Sequence, residues 1–323
     1  MKAIRIHKFG QTEDVLQYEE VPLPEPKAGE VLIKVDAASL NRADIGLRKG
    51  TYRISPDALP VIPGREFAGA IAKAGADADE YKSGERVVAY PGLGGYAEYA
   101  VAKINEIRRV PDGVSSIQAA CLPTVFLTAW FGLLTDGQLK NGEWLLVQGG
   151  SSGVGTAAIQ IGKYLGANVI VTSGSEDKCR RLRQLGADVT IDVSENDFVK
   201  EALRVTGNRG VDVVLEMIGG AVYQKSLQSL APGGRLFSIG GAFGAIPDPP
   251  PSLTGGRKAA RFSITNHLKA KPEDFKQLDE IQRLVKEKKF QVVIGKSFPL
   301  AEARAAQRYL EGREHFGKVV LTI

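Results

Sequence analysis

The stretch Trp144-Leu145-Leu146-Val147-Gln148-Gly149-Gly150-Ser151-Ser152-Gly153-Val154-Gly155 reveals the architecture of the chain. Its first five residues suit a buried strand, the next run is a glycine-rich turn, and a small-residue helix follows to Gly166. A strand, a tight turn and a helix N-terminus make an anion site, because backbone N–H groups and the helix dipole both favour negative charge there. Glycine matters because a side chain would keep a phosphate away from the backbone. Gly150, Ser151, Ser152, Gly153, Val154 and Gly155 are therefore expected to cradle the pyrophosphate of a dinucleotide.

Outward from this run the pattern alternates. Strands are expected at 144–148, 168–172, 189–192, 211–215 and 235–239, with helices at 155–166, 176–185, near 195–206 and near 221–230. Such alternation predicts a doubly wound parallel sheet. Residues before about 120 read instead as short strands and turns, among them 31–35 and 84–88. The expected fold is thus α/β, with a β-rich domain over 1–122, a dinucleotide-binding domain over 123–264, and a return segment 265–323 that completes the first domain. A cleft between domains would bring a cofactor against a substrate. The run Arg261-Phe262-Ser263-Ile264-Thr265 is expected as an exposed edge strand, of the kind that invites pairing.

Bulk composition narrows the class. Forty-two Lys and Arg against 37 Asp and Glu give a net charge of +5, with no basic block interleaved with aromatics, so nucleic acid is not the expected partner. No run approaches the eighteen or so apolar residues that span a bilayer, and the first residues read as a strand rather than a signal peptide. Two cysteines, Cys121 and Cys179, cannot build a disulfide framework, so a reducing, cytoplasmic setting is expected.

The residues after the second strand choose the cofactor. NAD-binding folds usually carry an acid there for the ribose 2′-OH; this chain has Thr172-Ser173-Gly174-Ser175, with Lys178 a turn later. Hydroxyls and a cation suit a 2′-phosphate, so Ser173 and Lys178 point to NADPH.

The sequence also resembles the zinc-independent quinone oxidoreductase (zeta-crystallin-like) branch of the medium-chain dehydrogenase/reductase superfamily. The resemblance rests on Asn41-Arg42-Ala43-Asp44, Gly50-Thr51-Tyr52, Pro63 to Gly69, Gly94 to Tyr99, Leu127-Thr128-Ala129, Gly150 to Gly155 and Gly317 to Val320. It implies a GroES-like domain joined to a Rossmann domain, and a homodimer. In the zinc alcohol dehydrogenases of this superfamily, the catalytic metal uses two Cys and the His of a Gly-His-Glu. The matching positions here are Asn41, Arg65 and Thr124, so no metal is expected. Without such a Lewis acid, the implied chemistry is hydride transfer to an acceptor that is already electrophilic, a quinone or an α,β-unsaturated carbonyl.

By the same resemblance, Asn41 and Thr128 sit near the nicotinamide, as do Ile239, Gly240, Gly241 and Ala242, while Gly219 and Gly220 face the adenosine or ribose. Tyr52 matches the position of a proton donor proposed in related enoyl-thioester reductases. His267 and Lys318, in the return segment, are candidate cofactor contacts, and Arg65 is expected to pair with Glu66 or to reach substrate or cofactor oxygens. Gly46 and Asp192-Val193 stand where many relatives carry aromatic or His side chains against the two rings of the cofactor. Two alternatives stay open: an enoyl-thioester reductase, with Arg257, Lys258 and Arg261 as phosphate contacts, and a non-catalytic NADPH-binding protein.

Overall fold

A computed structural model describes residues 1–51, 54–240, 244–247 and 250–323. The chain divides into two compact units, Met1–Thr124 with Pro272–Ile323, and Val125–Lys271.

The second unit is built on six parallel strands. Their order across the sheet is Val189–Asp192, Asn168–Ser173, Trp144–Val147, Val211–Glu216, Leu230–Ser238 and Lys258–Arg261. The first strand in sequence thus lies in the middle, with one half of the sheet wound to each side. Ligands bind beyond the carboxyl ends of the strands where the order reverses, here between Trp144–Val147 and Val211–Glu216. Leu146, Ile170, Val214 and Leu236 are fully buried in one core cluster, which accounts for the unbroken apolar runs in these strands.

Three elements differ from expectation, the first being the strand expected at 235–239, which runs Leu230–Ser238. The edge strand is Lys258–Arg261, not 261–265. Ser263 accepts a hydrogen bond from the Asn266 N–H and caps a helix, Ile264–Ala270, which groups with the second unit. The helix expected from 195 begins at Phe198, because the Asp197 carboxylate caps it by accepting from the Val199 N–H at 2.9 Å.

The first unit holds a seven-stranded sheet. Its central strand, Glu30–Ser39, lies between Phe67–Ala74 and the C-terminal strand Lys318–Thr322, and also pairs with Tyr99–Lys103. The return segment enters this sheet through Val320 opposite Ser39, so the two ends of the unit meet where the central strand stops. Asn41 then caps the helix Arg42–Arg48: its N–H donates to the Asp44 carboxylate at 2.8 Å. Among the described residues, no helix is long and apolar enough to cross a membrane.

Candidate functional site

In the second unit the glycine turn is held from below by side chains. The Gly149 N–H donates to Thr172 Oγ1 at 3.1 Å; that hydroxyl donates to Gln148 Oε1 at 2.7 Å, and Gln148 Nε2 donates to Ser226 Oγ at 3.0 Å. A Cβ on Gly150 would stand 2.0 Å from Val171 Cγ2, so only glycine lets the turn lie on the neighbouring strand. Ser152 caps the helix Gly153–Tyr164 by accepting from the Gly155 N–H at 3.0 Å, and its hydroxyl donates to Met217 Sδ at 3.2 Å. As at any helix start, the first N–H groups, those of Gly153 and Val154, have no intrahelical acceptor.

At the end of the second strand, Ser173 is buried and its Oγ has no hydrogen-bond partner. The Lys178 N–H donates to Ser175 Oγ, which caps the next helix. The two nearby acids are engaged elsewhere, Glu176 with Arg183 and Asp177 with Arg180. An unmatched hydroxyl, a nearby lysine and acids paired to arginines fit a 2′-phosphate.

Gly219 and Gly220 have φ of 84° and 57°, and the buried Glu216 carboxylate accepts from the N–H groups of Ile218 and Gly219. Burial pushes the Glu216 carboxyl above its ordinary value against the pull of those two donors. Ile239 and Gly240 follow the strand Leu230–Ser238, with Gly240 at φ 74°. Gly241, Ala242 and Tyr52 lie outside the described residues. Thr128 is buried in the helix Pro123–Phe131. His267 stacks on Phe131 with ring centroids 4.3 Å apart.

The first unit carries a different kind of site. Lys318 Nζ donates to Asn41 Oδ1 at 2.8 Å, to Glu66 Oε1 at 3.0 Å and to Leu40 O at 3.0 Å. Glu66 Oε1 also accepts from Asn41 Nδ2 at 2.8 Å and from Ser39 Oγ, and Glu66 Oε2 accepts from the Thr124 N–H at 2.6 Å. Burial alone would raise the Glu66 carboxyl; Lys318, Ser39, Asn41 and Thr124 together hold it below its ordinary value. Glu66 thus pairs with Lys318, an ion pair hidden from water. Asp44 responds oppositely. Burial pushes it up to about 6, although Arg65 and the Asn41 N–H pull it down, and the Tyr96 hydroxyl donates to it at 3.2 Å. Asp44 and Arg65 line a cavity of about 100 Å³ with Leu47 and Leu93.

Residues 27–112 match the alcohol dehydrogenase GroES-like domain family, and residues 185–321 match the zinc-binding dehydrogenase family. The quinone oxidoreductase of Sus scrofa is 32% identical over 326 residues, spanning 100% of this chain and 98% of that protein. The chain belongs to the quinone oxidoreductase family of medium-chain dehydrogenases. A solved family member, the quinone oxidoreductase of Escherichia coli complexed with NADPH, superposes with a TM-score of 0.92 at 28% identity, covering 100% of both chains. A stretch of a phenolphthiocerol/phthiocerol polyketide synthase of Mycobacterium tuberculosis is 34% identical over 314 residues, which is 96% of this chain and 14% of that protein. The second unit is the Rossmann domain of this oxidoreductase family, and the β-rich unit is its GroES-like domain.

The second family is named for zinc, but the donor set in this cluster does not fit that metal. Asn41 Oδ1 already accepts from an ammonium, and Thr124 offers a neutral hydroxyl. Burial pushes the neighbouring Cys121 thiol up to about 12 despite Lys318, and it is a single sulfur beside an ammonium rather than one of a set of metal ligands. Among the described residues, no group of three or more His, Cys, Asp or Glu could hold a metal.

The structure brings Asn41 and Lys318 together with Thr124, which the sequence placed at a former ligand position but without its backbone role, and with Ser39, which sequence reasoning left out. Gln148, Thr172 and Met217, which shape the glycine turn, were equally unassigned. Thr172 had a signal, since it precedes Ser173 on a strand beside the turn. Ser39 had none, because its partner is 27 residues away.

Proposed function

We propose that this oxidoreductase uses NADPH to reduce quinones or α,β-unsaturated carbonyls without zinc. The observation that carries the reading is the cluster around Lys318: where a metal-dependent alcohol dehydrogenase needs ligands, this chain has an ammonium and hydrogen-bonded oxygens. No alkoxide-forming Lewis acid fits there, so the acceptor must bring its own electrophilicity.

NADPH, when bound, supplies the hydride. The chain's part is to hold and orient. In this reading the N–H groups of Gly153 and Val154 take the pyrophosphate, along with the rest of the turn 150–155, while Ser173 and Lys178 take the 2′-phosphate. Gly219, Ile239, Gly240, Gly241, Ala242 and Thr128 border the rest of the cofactor, by family resemblance. Tyr52 is offered as the group that returns a proton to the reduced acceptor. Asn41 keeps its proposed place beside the nicotinamide. Lys318 serves the cofactor through Asn41, because its three ammonium hydrogens already have acceptors.

The match to a stretch of a polyketide synthase favours a second reading, reduction of an enoyl thioester. A homodimer paired through the edge strand Lys258–Arg261, in a reducing cytoplasm, completes the proposal.

The test is NADPH oxidation by the purified protein against ortho-quinones, para-quinones, enones and enoyl thioesters, with and without chelator. Chelator-insensitive turnover of quinones or enones is expected. Turnover of enoyl thioesters alone moves the assignment to the second reading. Chelator-sensitive oxidation of alcohols with NAD overturns it, as does NADPH binding with no turnover.

A further inference from the structure

The Lys318 ammonium has three hydrogens and three oxygen acceptors: a backbone carbonyl, an amide oxygen and a carboxylate oxygen, all at 2.8–3.0 Å. The residue is 4% exposed and Glu66 is 0% exposed. The backbone fixes this arrangement. Leu40 N–H donates to Val319 O at 2.9 Å, which ties the end of the central strand to the start of the C-terminal one. Gly317 turns the chain into that strand at φ 84°, where a Cβ would stand 2.2 Å from Val293 O. The lysine therefore enters a ring of oxygens whose positions the sheet has already set.

These oxygens carry one negative charge in total, that of Glu66. An all-oxygen site with one charge suits a singly charged cation. The ammonium also decides how Asn41 lies. With Nζ on Oδ1, the amide must present Nδ2 to Glu66; a reversed amide would set N–H against N–H. Asp44, Cys121 and Tyr96 also lie near Glu66, all buried and none of them a cation; the buried Arg65 guanidinium acts on Asp44, while Lys318 is the cation in contact with Glu66.

We propose that Lys318 is a positioning residue that acts as the built-in cation of a buried oxygen site. Its ammonium locks the Asn41 amide and compensates Glu66, and the site emptied by truncating it takes a small primary ammonium ion. A tethered cation needs no metal supply and cannot exchange with solvent.

The test uses the full-length protein with three substitutions. Lys318→Ala removes three carbons and the nitrogen, the size of n-propylammonium. Its melting temperature is expected to fall by about 10 °C, as for breaking a buried ion pair. n-Propylammonium chloride should restore much of that loss with a saturating dose response. Tetramethylammonium chloride at the same ionic strength, which has no N–H, should not. Lys318→Met keeps the bulk and removes the charge, and Glu66→Gln/Lys318→Met removes both charges. The double variant should melt above Lys318→Met, because no buried carboxylate is left alone. Equal effects of the two ammonium salts on Lys318→Ala overturn the proposal. So does a double variant no more stable than Lys318→Met, since the deficit is then one of packing. Because each readout is a melting temperature, failure of the reductase reading leaves these outcomes unaffected.

Discussion

The polar cluster of the first unit and the glycine turn of the second are both rich in hydrogen-bonding groups, but they are satisfied differently. Around Lys318 the charged groups match within the chain: the ammonium has three acceptors and both Glu66 oxygens accept, and among the cluster's side chains the Thr124 hydroxyl is the one left without a partner. At the turn there is a surplus of donors, since Ser152 takes only the Gly155 N–H and the Ser173 hydroxyl has no partner. A matched, buried network positions its own members. A donor surplus at a helix N-terminus suits an external anion.

The strongest way to break this contrast is to unbalance the matched side. Glu66→Leu leaves the Lys318 ammonium buried without its counter-charge, and it should destabilise folding by ~3–5 kcal/mol. Urea unfolding checks this; a cost below ~1 kcal/mol would mean that water reaches the cluster. The second test uses pH. The folded state holds the Asp44 pKa at about 6, above its unfolded value, so its contribution is fully present below about pH 4 and is lost as pH rises through 6. That change amounts to roughly 3 kcal/mol. Glu66, held low, has the opposite sign: its contribution is present at neutral pH and is lost only in acid. Asp44→Asn keeps an oxygen for the Asn41 N–H, so unfolding midpoints measured from about pH 4 to 7 should lose the Asp44 slope.

The surplus side responds through binding. Ser173→Asp puts a carboxylate where the 2′-phosphate is proposed to lie, and it should weaken NADPH by about tenfold or more while leaving NADH nearly unchanged. Fluorescence titration with both cofactors reads this. The smallest effect is expected from Ser152→Ala, which removes the cap of one helix and should cost ~1 kcal/mol in thermal unfolding.

Much of the second unit was legible because its signals are local. Five strands of the parallel sheet follow from apolar runs broken by glycine and charge, and the turn 149–155 follows from its glycines. The sixth strand was misread because Arg261-Phe262-Ser263-Ile264-Thr265 has β-branched and aromatic residues, yet Ser263 spends its hydroxyl on a helix cap. The first unit's cluster was not legible as a cluster. Lys318 meets Asn41 across 277 residues and Glu66 across 252, and no periodicity encodes such a contact. The expectation that Arg65 balances Glu66 came from adjacency in sequence. The sheet brings in Lys318 instead, because its strand Lys318–Thr322 pairs with Glu30–Ser39.

Hydrogen exchange of the intact protein, with and without saturating NADPH, tests the contrast most directly. Cofactor should slow exchange in segments covering 150–155 and 173–178. Segments covering 39–41 and 318–320 should be protected beforehand and unchanged. The contrast fails if NADPH leaves 150–155 unprotected, or if 39–41 and 318–320 become protected only when it binds.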